Sequence, residues 1–176
     1  MEDVIAEAKK LMEREDLKKL ILAASFVEKR GYCKWPRVRE IAEYAKLLGV
    51  KKIGLAFCIG LSSEAAEVAK YLKEKGFEVY SVCCKCGGID KTEVGLNEKD
   101  KLRPGSFEAI CNPVLQALIL NKLKTELNVT IGLCVGHDAV FTKLSKAPVV
   151  CLIAKDRVTG HNPAAALYVN YLRKRL

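Results

Sequence analysis

The sequence contains no apolar run that approaches the length of a membrane span, which is about 20 residues for a helix. Its first helical stretch, residues 1–14, is charged throughout, whereas a signal peptide has an apolar centre. We therefore expect no membrane association and a cytoplasmic location. The sequence leaves the oligomeric state open, and a homo-oligomer is one of the possibilities.

The common nucleotide-binding motifs are also absent. The glycine turn around Gly60 lacks the spacing of a Walker motif or of G-x-G-x-x-G, so support for nucleotide binding is weak. The net charge of +9 comes mostly from basic residues interleaved with Glu and Asp along helical faces, a pattern typical of a solvated surface. The exception is Arg173–Arg175, for which compensation of a helix dipole is favoured over a phosphate contact. We do not expect a nucleic-acid partner.

Cysteine is plentiful, with eight residues in a 176-residue chain. In a small secreted domain such a number would indicate a disulfide framework, but 50% hydrophobic content and regular patterning indicate one well-packed domain. Metal-binding, catalytic or core roles are therefore expected for these cysteines.

Hydrophobic periodicity predicts three helices within residues 1–49, with apolar core faces that include Val4, Leu11 and Val27, and then an alternation of strands and helices. We predict a three-layer α/β/α domain, Rossmann-like or flavodoxin-like, with about four parallel strands in residues 50–176 and a helical N-terminal extension. The predicted strands are Lys52–Phe57, Phe77–Val82, Val129–Leu133 and Pro148–Ala154.

Three further features are predicted around these strands. Residues 87–110 form a long polar connection, which is either a functional lid or a disordered insertion. Cys151 lies inside the last strand, where a cysteine usually behaves as a small buried hydrophobic residue. A final helix after Pro163 is predicted to turn Leu167 inward.

Residues able to bind metals or ligands follow the predicted strands or precede the helices. In parallel sheets the carboxyl ends of the strands share one rim, where ligands bind, so we expect these side chains to meet there. The candidate site residues are Cys58, Cys84, Cys111, Cys134, His137, Asp138, Lys155, Asp156, Arg157 and His161.

The four rim cysteines are separated by 26, 27 and 23 residues, unlike the C-x-x-C pairs of a zinc finger. An iron–sulfur cluster, or zinc as the alternative, tolerates such dispersed thiolate ligands. In this interpretation Cys58, Cys84, Cys111 and Cys134 bind the metal, and the other candidates bind or protonate a small anionic substrate. If only three thiolates bind, the open position favours an enzyme over a structural site.

Two other interpretations need no metal. Cys134 lies three residues before His137 across a strand-to-helix turn and is a candidate nucleophile activated by that imidazole. Alternatively, the Gly60 turn with Lys155 and Arg157 binds a phosphorylated ligand at helix N-termini. A protein that binds metal or ligand without catalysis is a further alternative.

Five motifs, within residues 28–168, resemble the prokaryotic family called domain of unknown function 1847, whose members are labelled predicted metal-binding proteins. The motifs are Gly54–Leu61 (GLAFCIGL), Cys84-Lys85 with Gly87-Gly88, Cys111-Asn112-Pro113 with Gln116-Ala117 and Leu120-Asn121, Gly132–Asp138 (GLCVGHD), and Lys155–Pro163 (KDRVTGHNP).

The resemblance implies that one set of residues occupies the family's motif positions and that four cysteines do not. The motif set is Cys58, Cys84, Cys111, Cys134, His137, Asp138, Asp156 and His161. The cysteines outside it are Cys33, Cys83, Cys86 and Cys151. Many relatives carry a cysteine-rich amino-terminal segment that this chain lacks, so the resemblance implies that any metal is bound by the rim cysteines.

Overall fold

A computed structural model describes residues 1–175, which form two compact units, one of Met1–Lys51 and a second that begins at Lys52. The first unit contains helices α1 (Glu2–Glu13), α2 (Glu15–Gly31) and α3 (Arg37–Leu48). Within this unit α1 packs along α2, and α2 packs along α3.

The predicted core face of α1 is wrong, because this helix buries no residue. Val4 and Leu11 are 58% and 43% exposed. The amphipathic pattern correctly predicted a helix, but α1 lies along a single helix within its unit, which is too little surface to bury its apolar face. Val27 of α2 is buried as predicted.

The second unit is an α/β fold with four parallel strands flanked by helices, as predicted. Its first seven helices and strands, in chain order, are β1 (Lys52–Phe57), α4 (Ser62–Glu74), β2 (Glu78–Cys83), α5 (Pro113–Lys122), β3 (Leu127–Leu133), α6 (His137–Leu144) and β4 (Val149–Ala154).

The strand order β2-β1-β3-β4 means that the chain reverses its direction across the sheet after β2. Because parallel crossovers are right-handed, this reversal puts α4 on one face and α5 and α6 on the other. The two directions diverge between β1 and β3, and such a switch point opens a crevice at the carboxyl ends of the strands.

The central strand β3 is buried at every position because strands flank it on both edges and helices cover the sheet. Gln116 of α5 is fully buried and donates hydrogen bonds from Nε2 to the carbonyl oxygens of Val82 (2.7 Å) and Phe57 (3.2 Å). It thereby ties α5 to the ends of β1 and β2, directly below the crevice.

Two predictions for the C-terminal part are wrong. Cys151 is exposed, because β4 is the edge strand of the sheet and its faces are only partly covered. The expected final helix is divided into two single-turn helices, α7 (Ala165–Tyr168) and α8 (Asn170–Arg173), by the extended residue Val169. Leu167 is 56% exposed rather than turned inward.

Residues 87–110 are not a disordered insertion. Lys101, whose side chain is 3% exposed, forms ion pairs with Asp90 (2.8 Å) and Glu98 (2.6 Å). Asp90 also accepts hydrogen bonds from the backbone N–H groups of Thr92 (2.9 Å) and Glu108 (2.7 Å), which joins the two ends of the segment.

No helix within residues 1–175 is both long enough and apolar enough to cross a membrane.

Candidate functional site

The sheet register brings Cys58 and Cys84 to the same end of neighbouring strands. Phe57, the last residue of β1, is paired with Cys83 of β2 and Ile131 of β3. The N–H of Cys84 donates to the Phe57 carbonyl oxygen (2.8 Å), and the N–H of Cys58 donates to that of Ile131 (3.0 Å). Each cysteine therefore follows its strand by one residue and enters the crevice beside the other.

Cys111 reaches the same place from the start of α5. Asn112 caps this helix by accepting a hydrogen bond from the Leu115 N–H (2.8 Å), and Pro113 occupies the first turn, as predicted. The N–H of Asn112 also donates to the carbonyl oxygen of Cys84 (2.7 Å). The backbone at Cys111 is thereby held against the end of β2.

Cys134 follows β3 at the turn into α6. Gly136 has a positive φ of 86°, a conformation that favours glycine, and the chain there reverses so that the N–H of His137 donates to the Cys134 carbonyl oxygen (2.9 Å). The guanidinium of Arg157, from the loop after β4, donates to Sγ of Cys134 (3.1 Å). This bond joins the third and fourth strand ends.

These residues line a single pocket with a volume of about 340 Å³. Its walls include the four predicted rim cysteines, together with His137 and Arg157. The remaining four cysteines are not part of its lining.

Sequence reasoning missed several residues that line this pocket. They are Ile59, Lys85, Lys91, Leu96, Leu102, Glu108 and Ile110. Lys85 directly follows Cys84 in a motif of the sequence, so a signal for it was present. Most of the others belong to residues 87–110, whose irregular pattern gave no indication of which side chains point toward the strand ends. Lys91 and Glu108 form an ion pair there.

The side chains of Cys84 and Cys111 interact, and the interaction shifts their pKa values in opposite directions. A hydrogen bond from Cys84 lowers the pKa of Cys111 from 9.0 to about 5, helped by the nearby side chains of Lys85 and His137. The same bond, together with burial, raises the pKa of Cys84. The shifts favour the thiolate at Cys111 and the thiol at Cys84.

Cationic side chains surround the sulfur atoms. The hydrogen bond to Sγ of Cys134 raises the pKa of Arg157. At Gly60, an added methyl group would lie 3.2 Å from Nζ of Lys155 and 4.0 Å from Sγ of Cys58. The absence of a side chain at Gly60 therefore leaves space for the Lys155 ammonium beside Cys58.

Lys155, placed beside Gly60, is one of four predicted site residues that do not line the pocket, and the other three are Asp156, His161 and Asp138. Asp156 accepts hydrogen bonds from the N–H groups of Val158 (2.8 Å) and Thr159 (3.1 Å), which lower the pKa of its carboxyl. The N–H of Asp156 donates to Nδ1 of His161 (3.1 Å). Both side chains thus fix the loop that carries Arg157.

Asp138 is the third of these. Its carboxylate accepts hydrogen bonds from the N–H groups of Gly136 (3.0 Å) and Ala139 (2.8 Å) at the start of α6. It borders a separate surface depression, which Lys143 and Cys151 also line. Its place in this structure is at the turn that positions His137.

Within residues 1–175, no three His, Cys, Asp or Glu side chains are arranged as a metal-ion site. The chemistry of the donor set nevertheless fits a metal centre that takes sulfur ligands, since four cysteines line one pocket. Cys58, Cys84, Cys111 and Cys134 are the residues that would hold it.

Comparison with known proteins gives a consistent family assignment. Residues 1–152 match the model of a protein family described as protein of unknown function (DUF1847). The chain is also similar to the uncharacterized protein MJ0455 of Methanocaldococcus jannaschii, with 49% identity over 164 residues that cover 93% of this chain and 83% of that protein. Since the family model spans most of the sequence, the chain belongs to the DUF1847 family.

Proposed function

We propose that this protein binds an iron–sulfur cluster, or zinc as the alternative, through Cys58, Cys84, Cys111 and Cys134. The observation that supports this is their convergence: four cysteines from the three strand-to-helix connections after β1, β2 and β3 line one pocket, and the other four cysteines of the chain do not. Thiolates are the preferred ligands of both metals. A cluster bound there would supply redox or Lewis-acid chemistry to a ligand in the pocket.

We further propose that the pocket takes a small anionic ligand. Lys85 and Arg157 line it, and the ammonium of Lys155 lies close to the Gly60 turn. These charges attract an anion and orient it toward the sulfur atoms, and His137 is the pocket residue suited to exchange a proton with it. Asp156 and His161 act through the loop of Arg157 as positioning residues.

The test is the iron, zinc and sulfide content and the absorbance spectrum of the full chain purified without oxygen. We expect a metal-containing protein, with metal lost in Cys58→Ala, Cys84→Ala, Cys111→Ala and Cys134→Ala variants. Cys33→Ala and Cys151→Ala are matched controls, because both cysteines are exposed and neither lines the pocket. Folded wild-type protein that takes up neither metal, even on reconstitution, would refute the proposal.

A second candidate is a metal-free cysteine enzyme, for which the geometry favours Cys111 over Cys134 as the nucleophile. Cys111 receives a hydrogen bond from Cys84 and lies near the positive charges of Lys85 and His137, whereas Sγ of Cys134 is bonded to Arg157. A thiolate so stabilised is the reactive form of cysteine. Alkylation confined to Cys111 in a colourless, metal-free protein as isolated would favour this candidate.

A further inference from the structure

Two of the four pocket cysteines are neighbours even without a metal. Cys84 and Cys111 line the same pocket, and the hydrogen bond from the Asn112 N–H to the Cys84 carbonyl oxygen (2.7 Å) holds their backbones side by side. A disulfide requires Cα atoms about 4.4–6.8 Å apart and facing side chains. The linked backbones bring the Cα atoms of this pair together, and both residues border the same cavity.

The two thiols differ in their access to reagents. Cys84 is 2% exposed, whereas Cys111 is partly exposed at the pocket wall, next to the cationic Lys85. A small disulfide that enters the pocket therefore meets Cys111 first. The buried neighbour is held beside it by the backbone hydrogen bond, which is the arrangement expected of an attacking and a resolving cysteine.

We propose that Cys84 and Cys111 are a reversible redox pair, whose disulfide withdraws two of the four ligands from the metal centre. Formation of the disulfide does not depend on the proposed function, but its regulatory effect rests on it. The oxidant is a low-molecular-weight disulfide, such as that of a cellular thiol.

The reaction has two exchange steps. The Cys111 thiolate attacks one sulfur of the small disulfide, which forms a mixed disulfide and releases one small thiolate. Cys84 then gives up its proton and attacks the Cys111 sulfur, which forms the internal disulfide and releases the second thiolate. Two protein thiols are oxidised, and one small disulfide is reduced to two thiols.

The main alternative to a Cys84–Cys111 disulfide is one between Cys83 and Cys86. These two cysteines form a C-x-x-C pair in the turn that also contains Cys84. The structure disfavours it, because Cys86 packs against the buried cluster that contains Ala117 and Leu120. Its sulfur approaches the carbonyl oxygen of Asn112 at 3.9 Å. A Cys83–Cys86 disulfide would compete with these contacts of Cys86.

The test is treatment of the reduced, metal-free full chain with glutathione disulfide, followed by mass spectrometry and peptide mapping. We expect the loss of two hydrogen atoms, a peptide linking Cys84 to Cys111, and reversal by dithiothreitol. The Cys84→Ala variant should instead accumulate a glutathione adduct at Cys111. Cys86→Ala should behave as wild type. Circular dichroism verifies that each variant is folded, and Cys84→Ser replaces Cys84→Ala if the latter does not fold.

A Cys83–Cys86 disulfide, or the absence of a Cys84–Cys111 disulfide in folded protein, would refute the proposed redox pair.

Reconstitution of the reduced and oxidised forms with iron and sulfide separates this outcome from a failure of the proposed function. Binding by the reduced form alone supports the regulation, whereas equal binding by both forms refutes it. If neither form binds metal, the regulatory role fails with the proposed function, and the mapped disulfide still decides the redox pair.

Discussion

Neighbouring cysteines in this pocket have opposite acid–base properties because of the residues that each one contacts. The pKa of the enclosed Cys84 is raised, while the pKa of Cys111, beside Lys85 and His137, is lowered. The difference arises from one hydrogen bond and from burial, neither of which is visible in the spacing of the two residues. Both effects are measurable in the metal-free protein.

Alkylation of Cys111 should depend on pH with a midpoint near its lowered pKa of about 5. The rate should rise as pH increases through that value and then level off, since only the thiolate reacts. In Cys84→Ala the midpoint should move up toward the ordinary thiol pKa of 9.0, because the largest stabilising contact is gone. Mass spectrometry of iodoacetamide-treated protein measures both curves, and an unchanged midpoint in the variant would contradict this assignment.

Gln116 should contribute to stability through its two hydrogen bonds to the ends of β1 and β2. We expect Gln116→Leu to lower the free energy of unfolding by about 1–2 kcal/mol, because two buried hydrogen bonds are lost and each typically contributes about 1 kcal/mol. Leu118→Ala on the same helix is the control, because Leu118 is 54% exposed and its truncation should cost less than about 0.5 kcal/mol. Urea denaturation measures both, and equal losses would show that Gln116 has no special role.

At the scale of elements, residues 87–110 are ordered by ion pairs rather than by an apolar core. Lys101 is almost fully enclosed, and its ammonium contacts Asp90, Glu98 and the carbonyl oxygen of Ser106. Leu96, Leu102 and Ile110 of this segment form part of the pocket wall. A lid function for the segment remains a prediction, and Lys101 is the residue on which it can be tested.

Replacing Lys101 with Met should loosen the segment, because two carboxylates lose their shared cation. We expect faster amide hydrogen exchange in residues 90–108 and unchanged exchange in β1 and β3. Lys99→Met is the matched control, since Lys99 lies in the same segment and is exposed. Equal exchange in the two variants would contradict a locking role for Lys101.

The ion pair between Lys101 and Asp90 determines how the stability of residues 87–110 changes with pH. Lys101 holds the pKa of Asp90 below its usual 3.8, so the stabilisation is present above 3.8 and is lost as pH falls through the lowered value. Asp90 in turn raises the pKa of Lys101 above 10.5, so the stabilisation is present below 10.5 and is lost as pH rises through the raised value. Exchange protection in the wild-type segment should therefore persist from neutral pH down past 3.8.

The elements also show what the sequence could and could not predict. Apolar runs and capped helix starts identified all four strands and the junctions that carry Cys58, Cys84, Cys111 and Cys134. Local hydrogen bonds were not visible in these patterns, so nothing indicated that Asp156 and His161 are bonded to each other within one loop. Periodicity likewise does not reveal how much surface a neighbouring element covers, which is why α1 and Leu167 were wrongly expected to be buried.

At the scale of the whole molecule, the eight cysteines divide into a pocket group and a peripheral group. Cys33 and Cys151 are exposed, and Cys151 was predicted to be buried because the sequence did not show that β4 is an edge strand. Exposed thiols meet those of a second protein molecule more readily than thiols that line a pocket.

Exposure to air should therefore link the purified protein into disulfide dimers through Cys33 or Cys151. We expect these dimers on non-reducing gels, and we expect them to disappear in the Cys33→Ala/Cys151→Ala double variant. That variant should retain the metal content of the wild type, since neither residue lines the pocket. Dimers that persist in the double variant would show that another cysteine reaches the surface.

The strand order has a consequence for synthesis of the chain. When residues up to Asn112 have left the ribosome, three of the four pocket cysteines are already present, but β3, which must pair with β1, has not been made. The crevice can form only after this late strand pairs with the early one, a non-local contact that is slow to form. Metal insertion would then have to follow translation, and the inserted centre would connect segments that are far apart in the chain, so its removal should destabilise the finished protein.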